Sequence, residues 1–187
     1  MGTTPISALG MGGRQMRIGK DYGDIFDHHA VEYTYPNGLK MFSYCRQIPG
    51  CEPLVGEWAV GSRGDADVSK AQIRADSKEW RFPQPRGRAQ GNNAPQSPYQ
   101  LEHDALFAAI RNGSPHNEIE SGVNATMTAI LGRMATYTGR TVTWDEGFQS
   151  KKTLMPDKIV DWNTKPLMLP DANGLYRLPA PGLIVDV

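Results

Sequence analysis

The chain has 187 residues, of which 39% are apolar and 21% charged, and its 20 basic residues balance 20 acidic ones. This length and composition fit one globular domain with a hydrophobic core of its own. A net charge of zero argues against nucleic-acid-binding and membrane-surface proteins, because both classes carry a basic patch.

The first half of the chain predicts antiparallel β-strands. Pro36, Asn37 and Gly38 are a strong hairpin signal, because Asn-Gly readily adopts the positive φ angles of a tight turn. Another turn is expected at residues 63–65. The predicted strands cover residues 6–9, 14–18, 30–35, 39–47 and 54–62, with shorter ones near 67–74 and 78–82. Together they indicate one large, mostly antiparallel meander over residues 6–82.

A segment rich in Pro, Gly, Asn and Gln follows, and residues 83–97 therefore predict a long surface loop. The first helix is expected at about residues 98–112, where Gly113 is its stop signal. Ser97 and Gln100 have the spacing of a capping box. One face of this helix is expected to pack on the sheet, and it holds Tyr99, His103, Leu106 and Ile110.

The second helix is expected at about residues 117–138, with Asn117 as its cap and Gly139 as its stop signal. Its apolar stripe keeps helical spacing and consists of Ile119, Val123, Met127, Ile130, Met134 and Tyr137. A short strand and a brief helix at 145–151 complete the helical part of the chain. Residues 152–187 predict an extended tail, because they have five prolines and no clear period.

The glycine-rich stretch ISALGMGGRQMRIG imitates a dinucleotide-binding turn. The dinucleotide motif needs Gly-x-Gly-x-x-Gly or Ala, followed by a helix whose N-terminus meets the pyrophosphate. Here Gln15 stands at the sixth position, and Gly19 and Gly23 would interrupt a following helix. We therefore interpret these glycines as a bulge or loop between strands, and we expect no dinucleotide site in the chain.

Asp27, His28 and His29 stand at the entrance of a predicted strand. Adjacent side chains on a strand point to opposite faces, so the two histidines are not expected to share a metal ion. One of them could form an acid/base pair with Asp27 or Asp24. The alternative interpretation is that both are exposed loop histidines.

Three other side chains are candidates for binding a ligand. His103 lies on the apolar stripe of the first helix, which predicts either a buried core histidine or a ligand contact at the edge of the sheet. Arg46 and Arg14 each lie in a predicted strand among apolar residues. An arginine there binds a substrate carboxylate or hydroxyl groups, or it pairs with a sheet glutamate such as Glu32 or Glu57.

The two cysteines, Cys45 and Cys51, have five residues between them and match no zinc motif. They are expected to be free thiols, and a disulfide across the turn between them is the alternative. The N-terminal sequence MGTTPISALG has neither the basic start nor the apolar stretch of a signal peptide. This favours a cytoplasmic protein, and a periplasmic location stays open if a signal lies upstream.

Several segments resemble, in order and spacing, the carboxy-terminal half of the Gfo/Idh/MocA oxidoreductases. They are DHHAVEYTYPNG, MFSYCRQIPGC, PYQLEHDALFAAIRNGSPHNEIESG and TAILGRMATYTGRTVTWDE. The resemblance is to the bacterial branch of sugar-type dehydrogenases, and it covers about residues 6–187.

The resemblance implies an α+β fold of the dihydrodipicolinate-reductase-like carboxy-terminal type, with helices on one face of a large sheet and an oligomer contact on the other. It also implies that NAD or NADP is bound by a Rossmann domain that this chain lacks. The family's Glu-Lys-Pro segment is missing, and its catalytic helix would lie upstream of ISALGMGGRQMR. No catalytic residue is therefore carried over, and no cofactor or metal site is expected within the chain.

The resemblance places the loop of Asp27 and His28, and the helix of His103, beside the substrate cleft. With Arg46 and Arg14 they form the set of expected substrate contacts. The leading hypothesis is the single substrate-binding and oligomerisation domain of an NAD(P)-dependent oxidoreductase acting on a sugar-like or cyclitol-like hydroxyl, inactive by itself. A family variant that uses the cofactor transiently to cleave glycosides stays open.

Two competing hypotheses come from other classes. One is a stand-alone module without catalysis that self-associates through an exposed sheet face carrying Trp58, Tyr33, Tyr44 and Phe42. The other is a small independent enzyme built on Asp27, His28 and His103.

Overall fold

The computed structural model describes residues 1–82 and 97–182, so most of the predicted loop and the last five residues lie outside the described part. The described residues are α+β, with two antiparallel sheets. The elements in chain order are β1 (Ser7–Gly13), β2 (His28–Thr34), β3 (Lys40–Arg46), β4 (Trp58–Gly61), β5 (Gly64–Asp67), β6 (Gln72–Ala75), β7 (Lys78–Arg81), α1 (Pro98–Asn112), α2 (Ile119–Thr138), β8 (Val142–Thr143) and α3 (Trp144–Phe148).

The chain divides into two compact units, and each is described by itself. The first unit comprises Met1–Gly50 and Glu118–Val187, and the second is Cys51–Asn117. Among the described residues, no helix combines the length and the apolar character needed to cross a bilayer.

The first unit contains a four-stranded sheet with the order β3-β2-β1-β8. The hairpin between β2 and β3 turns at Pro36–Gly38, as predicted, with φ of 64° at Asn37 and 76° at Gly38. Both angles lie in the left-handed region that Asn and Gly tolerate best. The three long strands are in full register, so that Gly13, His28 and Arg46 lie side by side in one row.

Helix α2 packs on one face of this sheet and forms the core of the unit with it. Its end at Gly139, with φ of 68°, agrees with the prediction. The core is a cluster of buried residues: Ala8, Val31, Tyr33, Tyr35, Met127, Leu131, Met134, Ala135 and Val142. The predicted stripe was therefore wrong in part, because Ile119, Val123 and Ile130 are exposed. The buried stripe runs instead through Leu131 and Ala135, which are fully buried.

Two glycines allow α2 to approach the sheet closely. A Cβ atom at Gly10 of β1 would lie 2.6 Å from Cγ2 of Thr136, and one at Gly132 of α2 would collide with the hydroxyl of Tyr33. Gly10, Gly12 and Gly13 lie inside β1, which corrects the interpretation of a glycine loop between two strands. Residues 14–18, predicted as a strand, follow β1 and form no strand.

The second unit contains a meander with the order β4-β5-β6-β7. The sheet predicted over residues 6–82 is therefore divided between the two units. Gly64 and Asp65 belong to β5 rather than to the predicted turn. Asp76 and Ser77 join β6 to β7 with φ of 49° and 62°, which is the backbone signature of a type I′ hairpin turn.

Helix α1 has the predicted bounds, and Gly113 ends it with φ of 63°. Ser97 occupies the cap position but makes no side-chain hydrogen bond to the helix, so the predicted capping box is absent. Gln100 donates to Asp104 instead. The cap of α2 is Glu118 rather than Asn117. A capping box does form at α3, where Thr143 and Glu146 satisfy each other's backbone N–H groups.

Candidate functional site

The carboxylate of Asp27 is the centre of a hydrogen-bond network at the start of β2. Its Oδ2 accepts from three consecutive backbone N–H groups, those of Gln15 at 2.9 Å, Met16 at 2.7 Å and Arg17 at 3.0 Å. Its Oδ1 lies 2.8 Å from Nδ1 of His28. The carboxyl group is buried. This network explains why the loop after β1 folds back over the entrance of β2.

The network also keeps Asp27 ionised. Burial alone would raise the pKa of this carboxyl group, because it penalises the charged form. The backbone N–H groups of Met16 and Arg17, the imidazole of His28 and the N–H of Gln15 act in the opposite direction. Together they hold the pKa of Asp27 well below its usual range, so the carboxylate is charged at neutral pH.

The imidazole of His28 lies on the face of the sheet opposite to α2. Its side chain is 40% exposed, although Asp27 beside it is buried. In the sheet, His28 has Gly13 of β1 on one side and Arg46 of β3 on the other. A Cβ atom at Gly13 would lie 3.4 Å from Cε1 and 3.6 Å from Nε2 of His28, so the glycine leaves this edge of the ring open.

The loop between β1 and β2 is braced by Arg14. Its guanidinium donates to the carbonyl oxygens of Gly23 at 2.8 Å, Gly19 at 3.3 Å and, through Nε, Arg17. Arg17 in turn donates to the carbonyl of Gln47 at 2.7 Å. These contacts give Arg14 a role in holding the loop, a role that was not among the alternatives predicted for it.

The structure brings four of the five predicted contacts into the first unit: Asp27, His28, Arg14 and Arg46. Glu32, named as a partner for the arginines, binds Nζ of Lys40 at 2.6 Å. His103 belongs to the second unit, where it is exposed and its Nδ1 lies 2.6 Å from the carbonyl oxygen of Tyr99. The prediction of a buried histidine there was wrong, because the described side chains of α1 are exposed except that of Ala109.

His29 lies on the other face of β2, against α2. Its Nδ1 is 3.0 Å from Oγ1 of Thr136, whose hydroxyl donates to the carbonyl of Arg133. Burial lowers the pKa of His29, the neighbouring His28 and Arg133 lower it further, and Asp27 raises it. The two histidines therefore diverge, as the alternation along a strand predicts.

An aromatic cluster closes the α2 side of the site. The rings of Phe26 and Tyr137 stack with centroids 4.1 Å apart, and the guanidinium of Arg133 lies 4.2 Å from the Tyr137 centroid. The hydroxyl of Tyr137 accepts from the backbone N–H of Phe26 at 3.0 Å. These contacts anchor the residue that precedes Asp27 and so fix the position of the carboxylate.

The face of the sheet opposite to α2 carries exposed apolar side chains in two rows. In one row Leu9 and Phe42 lie on either side of Glu32, and in the next Met11 and Tyr44 lie on either side of Ala30. We call these four side chains the open face. A row with His28 and Arg46 follows at one end. Tyr33, expected on this surface, points toward α2 and is buried, and Trp58 belongs to the second unit.

Two parts of the site were not predicted from the local sequence patterns. The trio of backbone N–H groups at Gln15, Met16 and Arg17 depends on the shape of a loop that was predicted as a strand. In the sequence, Gly13 resembles part of a nucleotide-binding motif. Its position opposite His28 follows instead from the register of β1 and β2. A correct hairpin pairing of β1 with β2 would have predicted that position.

Within residues 1–82 and 97–182, no group of three or more His, Cys, Asp or Glu side chains could hold a metal ion. Cys45 and Cys51 are both free thiols. Comparison with protein-family models and with curated proteins gave no match for the chain.

Proposed function

We propose that the chain is the substrate-binding and oligomerisation domain of an NAD(P)-dependent oxidoreductase of the Gfo/Idh/MocA type. Its substrate is a sugar-like or cyclitol-like compound that carries a hydroxyl group. The observation that carries the proposal is the pair of Asp27 and His28, in which a buried carboxylate holds an exposed imidazole at the open end of a sheet. A polar group fixed in this way is typical of a site that orients a ligand.

The arrangement of the first unit supports the same proposal. One helix covers one face of an antiparallel sheet, and the other face is exposed, as in a dihydrodipicolinate-reductase-like carboxy-terminal domain. In this proposal the dinucleotide is bound by a Rossmann domain outside residues 1–187, and the chain itself positions the carbon that exchanges the hydride.

The open face favours a second candidate function, that of a module which self-associates without catalysis. Met11 and Tyr44 are each 76% exposed and lie on either side of Ala30, and Leu9 and Phe42 lie on either side of Glu32 in the adjoining row. Such a surface is typical of a contact between protein molecules. In the leading proposal, the same surface binds a second copy of the chain.

Ligand titrations of the chain separate these functions. Myo-inositol and D-glucose serve as neutral polyol probes, and NAD(H) and NADP(H) as cofactor probes, with melting temperature and amide NMR spectra as readouts. We expect the polyols to shift the amide signals of Gly13 and His28, and we expect no melting shift with the dinucleotides. A clear shift with a dinucleotide would contradict the proposed place of the cofactor site. Binding of neither polyol would contradict the substrate-binding function and leave the self-associating module.

A further inference from the structure

We infer that Nε2 of His28 is a hydrogen-bond acceptor for a hydroxyl group of an uncharged polyol ligand. The inference rests on the substrate-binding function proposed above and deepens it, since it assigns the recognising atom and the charge class of the ligand. Three features of the molecule support this role: the tautomer of His28, the space beside its ring and the charges around it.

The tautomer follows from the partners of Asp27. Because that carboxylate is ionised and accepts three backbone N–H groups, it can only accept a hydrogen bond from His28. In the neutral imidazole, the one ring proton must then lie on Nδ1, which is 2.8 Å from Oδ1 of Asp27. Nε2 is left with a lone pair, so it accepts from a ligand and does not donate to it.

The space beside the ring follows from Gly13. The Cε1–Nε2 edge of His28 faces the position at which any other residue would place a Cβ atom, at 3.4 to 3.6 Å. A methyl group there would touch the ring without colliding with backbone, so the glycine is not required for the fold of this strand. The absence of a side chain at Gly13 keeps this edge of the His28 ring uncovered.

Charges of both signs lie around His28. Asp27 contributes a full negative charge in direct contact with the imidazole. Arg46 lies in the neighbouring position of β3 and is a cation. Arg14 and Arg17 are cations as well, and their guanidinium groups donate to loop carbonyls. The acceptor at Nε2 therefore decides which ligands fit beside the ring. An acceptor at Nε2 would repel a carboxylate or phosphate oxygen, whereas it attracts the proton of a neutral hydroxyl.

The first measurement is NMR of the full chain labelled with ¹⁵N in its histidines. With His28 neutral, we expect its ring proton on Nδ1 and an unprotonated Nε2, whose signal moves when myo-inositol or D-glucose is added. A proton on Nε2 in the free protein would overturn the inference, since that nitrogen would then donate.

The second measurement compares the affinity of variants for the same two polyols. We expect His28→Phe to weaken binding by about tenfold, because it removes one good hydrogen bond. We expect Gly13→Ala to weaken binding to a similar extent, because the new methyl group contacts the Cε1–Nε2 edge of His28 and obstructs the ligand there. The matched control is His103→Phe, which replaces another exposed histidine and should leave the affinity unchanged. Melting curves identify any variant that fails to fold. If His28→Phe does not fold, the affinity of Gly13→Ala still tests the inference.

The outcomes separate this inference from the function on which it rests. Polyol binding that is equal in the wild type and in both variants would overturn the role of His28 and leave the substrate-binding function standing. Tighter binding of D-gluconate than of D-glucose would overturn the uncharged class of ligand. Binding of neither polyol to the wild type would overturn both proposals.

Discussion

Oδ1 of Asp27 lies 2.8 Å from Nδ1 of His28, so two consecutive residues share a hydrogen bond at the start of β2. Consecutive side chains inside a strand point to opposite faces and do not meet. The contact is possible because Asp27 precedes the strand, and the loop above it supplies the backbone N–H groups that hold the carboxylate in place. The stability of the loop and the orientation of the imidazole therefore depend on the same buried charge.

The first prediction concerns the contribution of this charge to stability. Replacing Asp27 by Asn should lower the free energy of unfolding by about 3 kcal/mol, because buried N–H groups lose a charged acceptor. Urea denaturation measures the change. The matched control is Asp21→Asn, an exposed carboxylate of the same loop, which should change stability by less than about 0.5 kcal/mol. Equal effects of the two substitutions would contradict the structural role of Asp27.

The second prediction concerns how the difference in free energy of unfolding between the wild type and Asp27→Asn depends on pH. The pKa of Asp27 is lower in the folded chain than in the unfolded chain, so the carboxylate stabilises the fold above the unfolded pKa of about 3.9. As the pH falls below that value, the advantage of the wild type over Asp27→Asn should shrink by about 1.4 kcal/mol per pH unit. Denaturation curves recorded from neutral pH down to acid measure it. A difference that stays constant below the unfolded pKa would show that the charge is not responsible.

The third prediction tests the packing of α2 on the sheet. Gly132→Ala should destabilise the chain by about 2 kcal/mol, because the new methyl group collides with the hydroxyl of buried Tyr33. Gly122→Ala on the same helix is the matched control, since no atom lies within 4 Å of its Cβ position. That substitution should stabilise the chain by about 0.5 kcal/mol through its higher helix propensity. A Gly132→Ala chain that melts like Gly122→Ala would refute the close approach.

The fourth prediction tests self-association through the open face. If a second copy binds there, replacing both Phe42 and Tyr44 by Glu should weaken the dimer by at least about tenfold, because a two-fold contact would lose each side chain twice. Light scattering over a concentration series measures the change. Val60→Glu provides the control, since Val60 is 89% exposed and belongs to the second unit. A wild-type chain that remains a monomer would exclude this contact.

Much of the fold is predictable because it depends on local signals. The hairpin at Asn37-Gly38 and the ends of both long helices at Gly113 and Gly139 follow from backbone angles that few residues other than Gly and Asn adopt. The prediction of a capping box at Ser97 was wrong, because spacing alone does not decide where a side chain points. Its spacing is correct, but a cap needs the serine side chain to point at the helix, and here it makes no such bond.

The division into two sheets was not predictable in the same way. Every strand predicted between residues 6 and 82 has ordinary local character, and which strands pair depends on contacts between distant residues. Strand β8 pairs with β1 although Val142 comes 129 positions after Gly13 in the chain, and this pairing completes the sheet of the first unit. Local composition contains no information about such a partner.

For this protein, the amino-acid sequence alone determined several local features: the hairpin turn at Asn37-Gly38, the ends of the two long helices, the alternation that separates His28 from His29, and the presence of Asp27 at a strand entrance. Only the tertiary structure decided that Asp27 is buried and accepts three backbone N–H groups. It also decided that Gly13 lies opposite His28 in the sheet and that Tyr33 faces the core. The physical reason is that turns and caps depend on the conformation of a few neighbouring residues. Burial, register and the charge state of a carboxyl group depend on what the rest of the chain places around them.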